Sequence, residues 1–286
     1  MEFDYIIVGG GSAGSVLANR LSARSTNNVL LCEAGEDTPP DKVPPEILDS
    51  YPGTAYLNDR FIWSGLKVTT EVNSHNDKDA PKPPLRKYEQ ARVLGGGSSI
   101  NGQMANRGAP TDYDEWEARG ASGWDWNNVL PYFKKLETDL DINDDWHGKD
   151  GPMPVRRVPE KHWSEHSKAL LETLKRANYK YLPDQNGFFE DGFFPVTISN
   201  AEEKRVSASI GYLTNDVRNR DNLYLSTHTV VTELLFENTV CVGVRALVNG
   251  KPEEFRGREI ILSSGAIHSP AHLMRAGIGP AGHLSE

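Results

Sequence analysis

The chain has 286 residues, of which 37% are hydrophobic and 25% charged; this is enough for one large α/β domain or two medium ones and excludes a small stapled scaffold. Its formal net charge of -9 repels phosphate backbones and anionic lipid heads, so we expect neither nucleic acid nor a membrane as a partner. Apolar runs all fall short of the roughly 18 residues of a membrane span, and the first residues lack the layout of a secretory signal, so we expect a cytoplasmic protein.

The first 33 residues are predicted to form a β-α-β unit. Residues 5–8 and 29–31 are continuous apolar runs, which are typical of parallel strands covered on both faces. Between them, apolar side chains recur every three or four residues, as on the buried stripe of a helix. This stripe consists of Ala13, Val16, Leu17 and Leu21. The pattern predicts an α/β fold.

A glycine motif lies between the first strand and this helix. Residues 9–14 read G-x-G-x-x-G: Gly9 permits a tight turn, Gly11 lets backbone N–H groups approach a pyrophosphate, and Gly14 allows close helix–strand contact. Glu33 ends the second strand, where a carboxylate accepts hydrogen bonds from ribose hydroxyls and would repel the 2′-phosphate of NADP. An isolated motif of this kind can also be a tight turn of steric origin. Strand, glycines, helix, strand and acid in register favour an adenine dinucleotide, with either nicotinamide or flavin.

The middle of the chain is less regular. Residues 38–87 are rich in proline and aromatic residues, and residues 73–79 are predicted to form a surface loop. Apolar spacing predicts helices at residues 127–136 and 162–178. Three carboxylates are expected to lie in a solvated turn, namely Asp112, Asp114 and Glu115.

The last third of the chain is predicted to contain strands. Turns of the hairpin type are expected at Asn249-Gly250 and Arg256-Gly257. The predicted strands are residues 223–225, 230–236, 240–248 and 259–263.

The two cysteines, Cys32 and Cys241, both lie in strand-like apolar runs. A reduced, buried thiol is the usual state of a cysteine in such a run. We therefore expect neither a disulfide nor a metal site.

A second glycine-rich run occupies residues 95–102 and reads Gly-Gly-Gly-Ser-Ser-Ile-Asn-Gly. Glycine and serine also make flexible surface linkers. Here the apolar Leu94 and Ile100 flank the glycines, as expected of a loop that is held against a ligand.

Residues 91–116, which include this run, resemble the first signature of the glucose-methanol-choline (GMC) flavoprotein oxidoreductases. Residues 265–280 resemble the second signature, with Ala276 where a serine or threonine is more usual. The resemblance covers essentially the whole chain. Within the family, the sequence is most similar to bacterial oxidases of aromatic or furanic primary alcohols.

The resemblance implies FAD as the cofactor. Ile100 occupies a position where some family members have a histidine bonded to the flavin, so binding is expected to be non-covalent. The resemblance implies that the diphosphate is held by Gly9, Gly11, Ser12, Ala13 and Gly14, and the ribose by Glu33 with its neighbour Ala34. The loop along the diphosphate and ribityl chain would be Arg92, Val93, Gly96 and Gly97, and the segment along the isoalloxazine would be Asn101, Gly102, Gln103 and Met104. The adenine contact would be Val231, and the second signature would contribute Ala266.

The activity implied by the resemblance is oxidation of a primary alcohol, aromatic or furanic, to the aldehyde. A small-molecule alcohol would give a hydride to flavin N5, and O2 or another electron acceptor would reoxidise the flavin. Alternatives within the family are a dehydrogenase with a different acceptor, a hydroxynitrile lyase and a light-driven decarboxylase. A further alternative is an FAD-binding fragment or subunit without activity of its own.

We predict no catalytic residue in this chain, because the family's catalytic histidine lies near the C-terminus of its members and no histidine here matches it. A lone histidine is more often structural, and His147 is expected in a structural turn. Trp63 could border an aromatic substrate but is more often part of a core. The histidines are His75, His147, His162, His166, His228, His268, His272 and His283.

The resemblance places this chain in the N-terminal part of a family member. A second polypeptide carrying the C-terminal half is therefore expected, with a free-standing fragment as the alternative. The predicted fold is an FAD-binding, Rossmann-like domain of the two-dinucleotide-binding type with part of an α+β substrate domain. Residues 1–157 and 204–286 are assigned to the FAD-binding domain and residues 158–203 to the start of the substrate domain.

Overall fold

The structure is a computed structural model and describes residues 2–69 and 84–285. The loop predicted at residues 73–79 lies outside these residues. The described chain divides into two compact units. Unit 1 comprises the described residues of Met1–Asn101 and Ala208–Glu286, and unit 2 comprises Gly102–Ser207.

The strands are β1 (Glu2–Val8), β2 (Val29–Cys32), β3 (Lys67–Val68), β4 (Arg86–Lys87), β5 (Glu137–Asp139), β6 (Met153–Arg157), β7 (Thr197–Ile198), β8 (Asn200–Ala201), β9 (Lys204–Arg205), β10 (Leu223–Ser226), β11 (Thr229–Glu237), β12 (Val240–Val248) and β13 (Lys251–Leu262). The helices are α1 (Ser12–Leu21), α2 (Pro45–Leu48), α3 (Gly53–Tyr56), α4 (Gly97–Ile100), α5 (Pro110–Ala118), α6 (Trp126–Leu136), α7 (Glu165–Arg176), α8 (Ala208–Tyr212), α9 (Asn215–Arg218), α10 (Gly265–Arg275) and α11 (Ala281–Leu284). Two short 3-10 turns lie at Asp59–Phe61 and Glu160–His162.

Unit 1 is built on a six-stranded sheet of order β10-β2-β1-β13-β12-β11. The first four of these strands run parallel, and β13, β12 and β11 form an antiparallel meander. Side chains of β1 alternate between two cores, because Ile7 packs with Leu31 and Ala18 while Ile6 packs on the other face with Val244. Both faces of the sheet are therefore covered, as the continuous apolar runs predict, and the α/β fold is confirmed.

Most predicted elements are present. The β-α-β unit forms β1, α1 and β2, and the two predicted helices are α6 and α7. Asn249 and Gly250 form the hairpin turn between β12 and β13, both with positive φ, as a two-residue primed turn requires. The predicted turn at Arg256-Gly257 is wrong, since both residues lie inside β13 and pair with β1.

The carboxylates expected in a solvated turn lie instead in α5. Pro110 occupies the first turn of this helix, and the Asp112 Oδ2 accepts a hydrogen bond of 2.7 Å from the Ala109 N–H, which caps the helix start. The helix has no buried residue, so the apolar periodicity that reveals a helix in sequence is absent.

The prediction of a buried thiol is confirmed for Cys32 but not for Cys241. Cys32 is buried, and burial raises the pKa of its thiol to about 12. Cys241 is only partly buried, which corrects the expectation for that residue. Both thiols are free in the structure.

Unit 2 contains a three-stranded sheet of order β5-β6-β7 together with α5, α6 and α7. It includes residues 102–157, which were predicted to belong to the FAD-binding domain. Compactness alone does not assign a ligand to either unit, so the predicted domain roles stay predictions. None of the helices among the described residues has both the length and the apolar character needed to cross a membrane.

Candidate nucleotide-binding site

The first glycine motif forms a tight turn between β1 and α1. Gly9 has a φ of +104°, and its N–H donates to the Cys32 carbonyl oxygen over 2.9 Å, which fixes the turn to the end of β2. A Cβ on Gly14 would overlap the Gly9 carbonyl. The two glycines therefore let α1 begin directly against the end of the strand, as the motif predicts.

The second glycine run lies against the first. The Gly95 N–H donates to the Gly10 carbonyl oxygen over 2.7 Å. Gly96 has a φ of +55°, and a Cβ on it would stand only 2.7 Å from the Gly11 Cα. The buried Leu94 and Ile100 anchor this run on either side. The run is thus a packed turn leading into α4, so the flexible-linker alternative is wrong.

A cleft of about 770 Å³ opens beside these turns in unit 1. Nine of the predicted cofactor residues line it: Gly9, Gly11, Ser12, Ala13, Glu33, Ala34, Gly96, Gly97 and Val231. They come from four places in the chain, namely the β1–α1 turn, the end of β2, the start of α4 and the edge strand β11. The fold brings these segments to one cavity at the carboxyl ends of β1 and β2, where open α/β sheets bind ligands.

The cleft suits an anion at the start of α1. Gly11 is the N-cap of this helix, and no side chain among the described residues caps it. The first turn of α1 contains no acidic residue. The positive end of the helix dipole and its leading N–H groups are therefore offered to a ligand such as a diphosphate.

Glu33 supplies the main negative group of the cleft. Its Oε2 accepts from the Gly10 N–H over 2.9 Å and its Oε1 from the Gly35 N–H over 2.8 Å. Burial raises the pKa of this carboxyl to about 7, because the two backbone bonds and nearby Arg92 offset only part of the desolvation. Near neutral pH, the protonated and the ionised form of this carboxyl are therefore both populated.

Three predicted residues do not line the cleft but pack next to residues that do. Gly14 serves the turn packing described above, and Val93 is fully buried. The Arg92 Nε donates to the Ala34 carbonyl over 3.2 Å, and its guanidinium lies 5.0 Å from the ring centre of Trp63. Arg92 therefore positions Ala34 and Trp63, and Trp63 itself lines the cleft.

The predicted isoalloxazine residues are divided between the units. Asn101 is the exposed C-cap of α4 in unit 1. Gly102, Gln103 and Met104 belong to unit 2, where Gln103 is buried and its Oε1 accepts from Asn200 Nδ2 over 2.9 Å. Met104 is exposed, as is Ala266 in the first turn of α10. Their contacts with a flavin stay predictions.

One wall of the cleft was not predicted from the sequence. His268, His272 and Arg275 of α10 line the cavity, although histidines were interpreted as structural or surface groups. Their spacing of four and three residues places them on one face of a helix that directly follows β13. That spacing after a strand is the signal that could have found them.

A second polar cluster lies in unit 2 around His147, where a structural turn was expected. The ligand atoms of Glu137, Asp139 and His147 lie within 4.8 Å of one another, as a metal site would require. The guanidinium groups of Arg107 and Arg157 already pair with Glu137 and Asp139, respectively. The ion pairs give this cluster a structural explanation, and the expectation of no metal site stays a prediction.

A strand, a glycine turn, a helix start and an acid after the second strand, all at one cleft, define a dinucleotide-binding fold of the Rossmann-like class. Residues 3–286 match the family model described as GMC oxidoreductase. The chain therefore belongs to the GMC oxidoreductase family, and its fold is that of the family's N-terminal, FAD-binding part.

Similar proteins are oxidases and dehydrogenases. The chain is 48% identical over 285 residues to the 5-(hydroxymethyl)furfural oxidase of Methylovorus sp. (strain MP688), a match that covers 99% of this chain and 53% of the relative. It is 41% identical to the oxygen-dependent choline dehydrogenase of Staphylococcus xylosus, covering 99% and 49% of the two chains. Among solved structures, the pyridoxine 4-oxidase from Mesorbium loti superposes with a TM-score of 0.87 at 31% identity, covering 99% and 53%. The chain thus spans about half the length of these relatives.

Proposed function

We propose that this chain is the FAD-binding part of an oxidase that converts a primary alcohol, aromatic or furanic, to the aldehyde. The observation that carries the proposal is the packing of two glycine turns on one cleft that also contains a buried Glu33. The substrate class is supported by the 48% identity to the furfural oxidase. O2 is the proposed acceptor, since that relative is an oxidase.

The chain's own residues bind and orient the cofactor. In this proposal the start of α1 holds the diphosphate, Glu33 accepts hydrogen bonds from the adenosine ribose, and the backbone of Val231 meets the adenine. The turn at Gly96 and Gly97 follows the diphosphate and ribityl chain. Bound FAD supplies the hydride acceptor, its N5 atom.

Non-covalent binding is supported by Ile100. Its side chain is buried in the apolar core with Val93 and Phe61 and carries no nucleophile. FAD is therefore expected to be released intact when the protein is denatured.

The catalytic base is proposed to lie outside this chain. The relatives are about twice as long as the part that matches, so the proposed base belongs to the half of their length that this chain does not match. Intact mass of the purified active material tests this point. A single species with the mass of this chain and full alcohol oxidase activity would contradict it.

Gly11→Ala tests the cofactor site. A Cβ at Gly11 would meet its nearest neighbours at 3.9 Å, so the fold accommodates a methyl group, whereas that methyl group occupies the place proposed for the diphosphate. We expect normal unfolding behaviour and FAD affinity weaker by about tenfold or more. Gly65→Ala is the matched control, because a Cβ there has open space among the described residues and Gly65 lies outside the cleft lining. Unchanged flavin binding by Gly11→Ala would contradict the proposed diphosphate site.

The reaction is tested by measuring the peroxide that the purified active protein forms with benzylic alcohols, furanic alcohols and choline. The chains present in this protein are first identified by mass. Peroxide with benzylic or furanic alcohols is expected. Flavin bleaching without air and no peroxide in air would favour a dehydrogenase with another acceptor. Preference for choline would favour the function named for the Staphylococcus relative.

A further inference from the structure

The wall that α10 contributes to the cleft contains a histidine whose tautomer is fixed. His272 is only 7% exposed, and its Nδ1 lies 3.0 Å from the Arg275 Nη2. A guanidinium can only donate, so the His272 Nδ1 must be an unprotonated acceptor. The proton of the neutral ring is then on Nε2, which makes that atom a hydrogen-bond donor.

The surroundings keep this histidine neutral. Burial, the charge of Arg275 and the neighbouring His268 lower the pKa of His272 to about 4. Burial and Arg275 also lower the pKa of His268, whose ring packs against Trp63 at a centroid distance of 4.7 Å and a tilt of 41°. At neutral pH this wall therefore presents uncharged imidazole rings to the cleft.

The position of His272 corresponds to the adenosine end of the cleft. Thr229, at the start of β11, donates its N–H to the Glu33 carbonyl over 2.8 Å, so this strand begins beside the proposed ribose-binding acid. Helix α10 packs against β11, and both Val231 and His272 line the cavity. With the diphosphate at the start of α1 and the ribose at Glu33, the adenine would lie toward β11 and α10.

We propose that the His272 Nε2–H donates a hydrogen bond to an acceptor nitrogen of the adenine, and that Arg275 is a positioning residue that holds the imidazole in this tautomer. The inference rests on the proposed FAD site and adds a side-chain contact to the backbone contact of Val231. Adenine ring nitrogens are acceptors, so a neutral donor matches them. A contact of this kind strengthens the binding of any ligand that contains the adenosine half.

The test measures FAD binding by flavin fluorescence and ADP binding by displacement of FAD. His272→Leu removes the donor, whereas His272→Gln retains an amide N–H near the position of Nε2. We expect His272→Leu to weaken FAD and ADP by the same factor, about five- to tenfold, which corresponds to one lost hydrogen bond. The Gln variant should stay within about twofold of the wild type. His283→Leu on the exposed α11 is the control and should leave both affinities unchanged.

Arg275→Leu provides a second, independent variant. It leaves His272 in place but removes the group that fixes its tautomer, so both affinities should fall severalfold with the same FAD-to-ADP ratio. An unfolding curve of each variant shows that it is folded under the conditions in which its affinities are measured.

Several results would overturn the inference. They are unchanged ADP affinity in His272→Leu, a loss for FAD without a loss for ADP, an equal loss in folded His272→Gln and His272→Leu, and wild-type protein that binds FAD but not ADP. If the wild type binds neither ligand, the proposed FAD site itself fails, so the two failures are distinguishable.

Discussion

At the residue scale, Glu33 connects three parts of the cleft. Its carboxylate binds the Gly10 and Gly35 N–H groups, and its backbone carbonyl accepts from Thr229 at the start of β11. The end of β2 is thereby bound to the glycine turn on one side and to the meander on the other. The carboxylate that holds these segments together is also the group proposed to meet the ribose.

The first prediction is that FAD affinity depends on the ionisation of Glu33. Its pKa is raised to about 7 in the free chain, and the ionised form is the better acceptor for ribose hydroxyls. Binding therefore favours loss of the proton, so the Kd should rise as pH falls below about 7, by at most about tenfold per pH unit, and level off above it. Titrations at fixed ionic strength from pH 5.5 to 8 measure this.

Glu33→Gln is the control for that prediction, because an amide does not titrate in this range. Its FAD affinity should be weaker than that of the wild type at pH 8 and nearly independent of pH. A wild-type Kd that stays constant from pH 5.5 to 8 would contradict the role of the carboxylate.

A second prediction concerns Gly96, where the two glycine turns touch. Alanine at this position has to adopt a φ of +55° and place a Cβ 2.7 Å from the Gly11 Cα, so it disturbs the fold before any ligand binds. Backbone strain of this kind costs on the order of 1–3 kcal/mol. We expect Gly96→Ala to lower the free energy of unfolding by about 2 kcal/mol in denaturant titrations. Gly97→Ala, where a Cβ has open space among the described residues, should change it by less than about 1 kcal/mol.

At the element scale, predictions succeeded where a local pattern determines the structure. The β1-α1-β2 unit is short-range and carries its own periodicity, and the Asn249-Gly250 turn needs positive φ values that these residue types adopt readily. Arg256-Gly257 has the same appearance in sequence but lies inside β13. A Cβ on Gly257 would stand 2.9 Å from Ile6 Cγ1, so this glycine allows close packing of β13 on β1 and makes no turn.

The candidate site was predictable to a similar extent. Motif positions on β1, β2 and the second glycine run line one cleft, because each is tied to a strand end or a turn. The α10 wall was missed, since a histidine in sequence does not reveal what it faces. His272 acquires its tautomer only from Arg275, and its place beside Val231 depends on the packing of α10 on β11.

Helix α6 provides a prediction at this scale. Its N-cap is Asp125, whose Oδ1 accepts from the Asn127 N–H over 3.0 Å. Alanine removes this acceptor and leaves the N–H group at the helix start without its cap, which costs about 1 kcal/mol. Asp125→Ala should therefore unfold at lower denaturant concentration, as followed by fluorescence of the nearby tryptophans. Asp125→Asn, which caps equally well, should match the wild type; equal losses in both variants would contradict the capping role.

At the scale of the whole molecule, charges buried in unit 2 link its stability to pH. Arg157 pairs with Asp139 and Asp184, and both carboxylates are fully buried. His147 donates from Nδ1 to Asp144 over 2.6 Å, and its Nε2 lies 3.2 Å from Asp184. The Nε2 also lies 3.3 Å from the Arg157 Nη2, but carboxylates face both ring nitrogens, and together they favour the protonated ring.

The last prediction is a stability optimum in mildly acidic solution. Hydrogen bonds to Asp184 and Asp144 outweigh burial and raise the pKa of His147, while His147 and Arg157 lower that of Asp184 to about 2. Because the pKa of His147 is raised by folding, its contribution to the free energy of unfolding is fully present below about pH 6.5. This contribution is lost as pH rises through the pKa of the folded state. Because the pKa of Asp184 is lowered by folding, its contribution to the free energy of unfolding is fully present above about pH 4 and is lost as pH falls toward 2.

The histidine contribution is measured as the difference in unfolding free energy between the wild type and His147→Gln, pH by pH, in the absence of FAD. Glu33, with its raised pKa, also makes the fold less stable as pH rises from about 4.5 to about 7, but it is present in both proteins and cancels in the difference. The wild-type advantage should be greatest near pH 5.5 and should shrink above neutral pH by at most about 1.4 kcal/mol per pH unit. An advantage that is the same at pH 5.5 and pH 9 would mean that His147 is neutral in the folded protein and that its carboxylate contacts do not control the pH dependence.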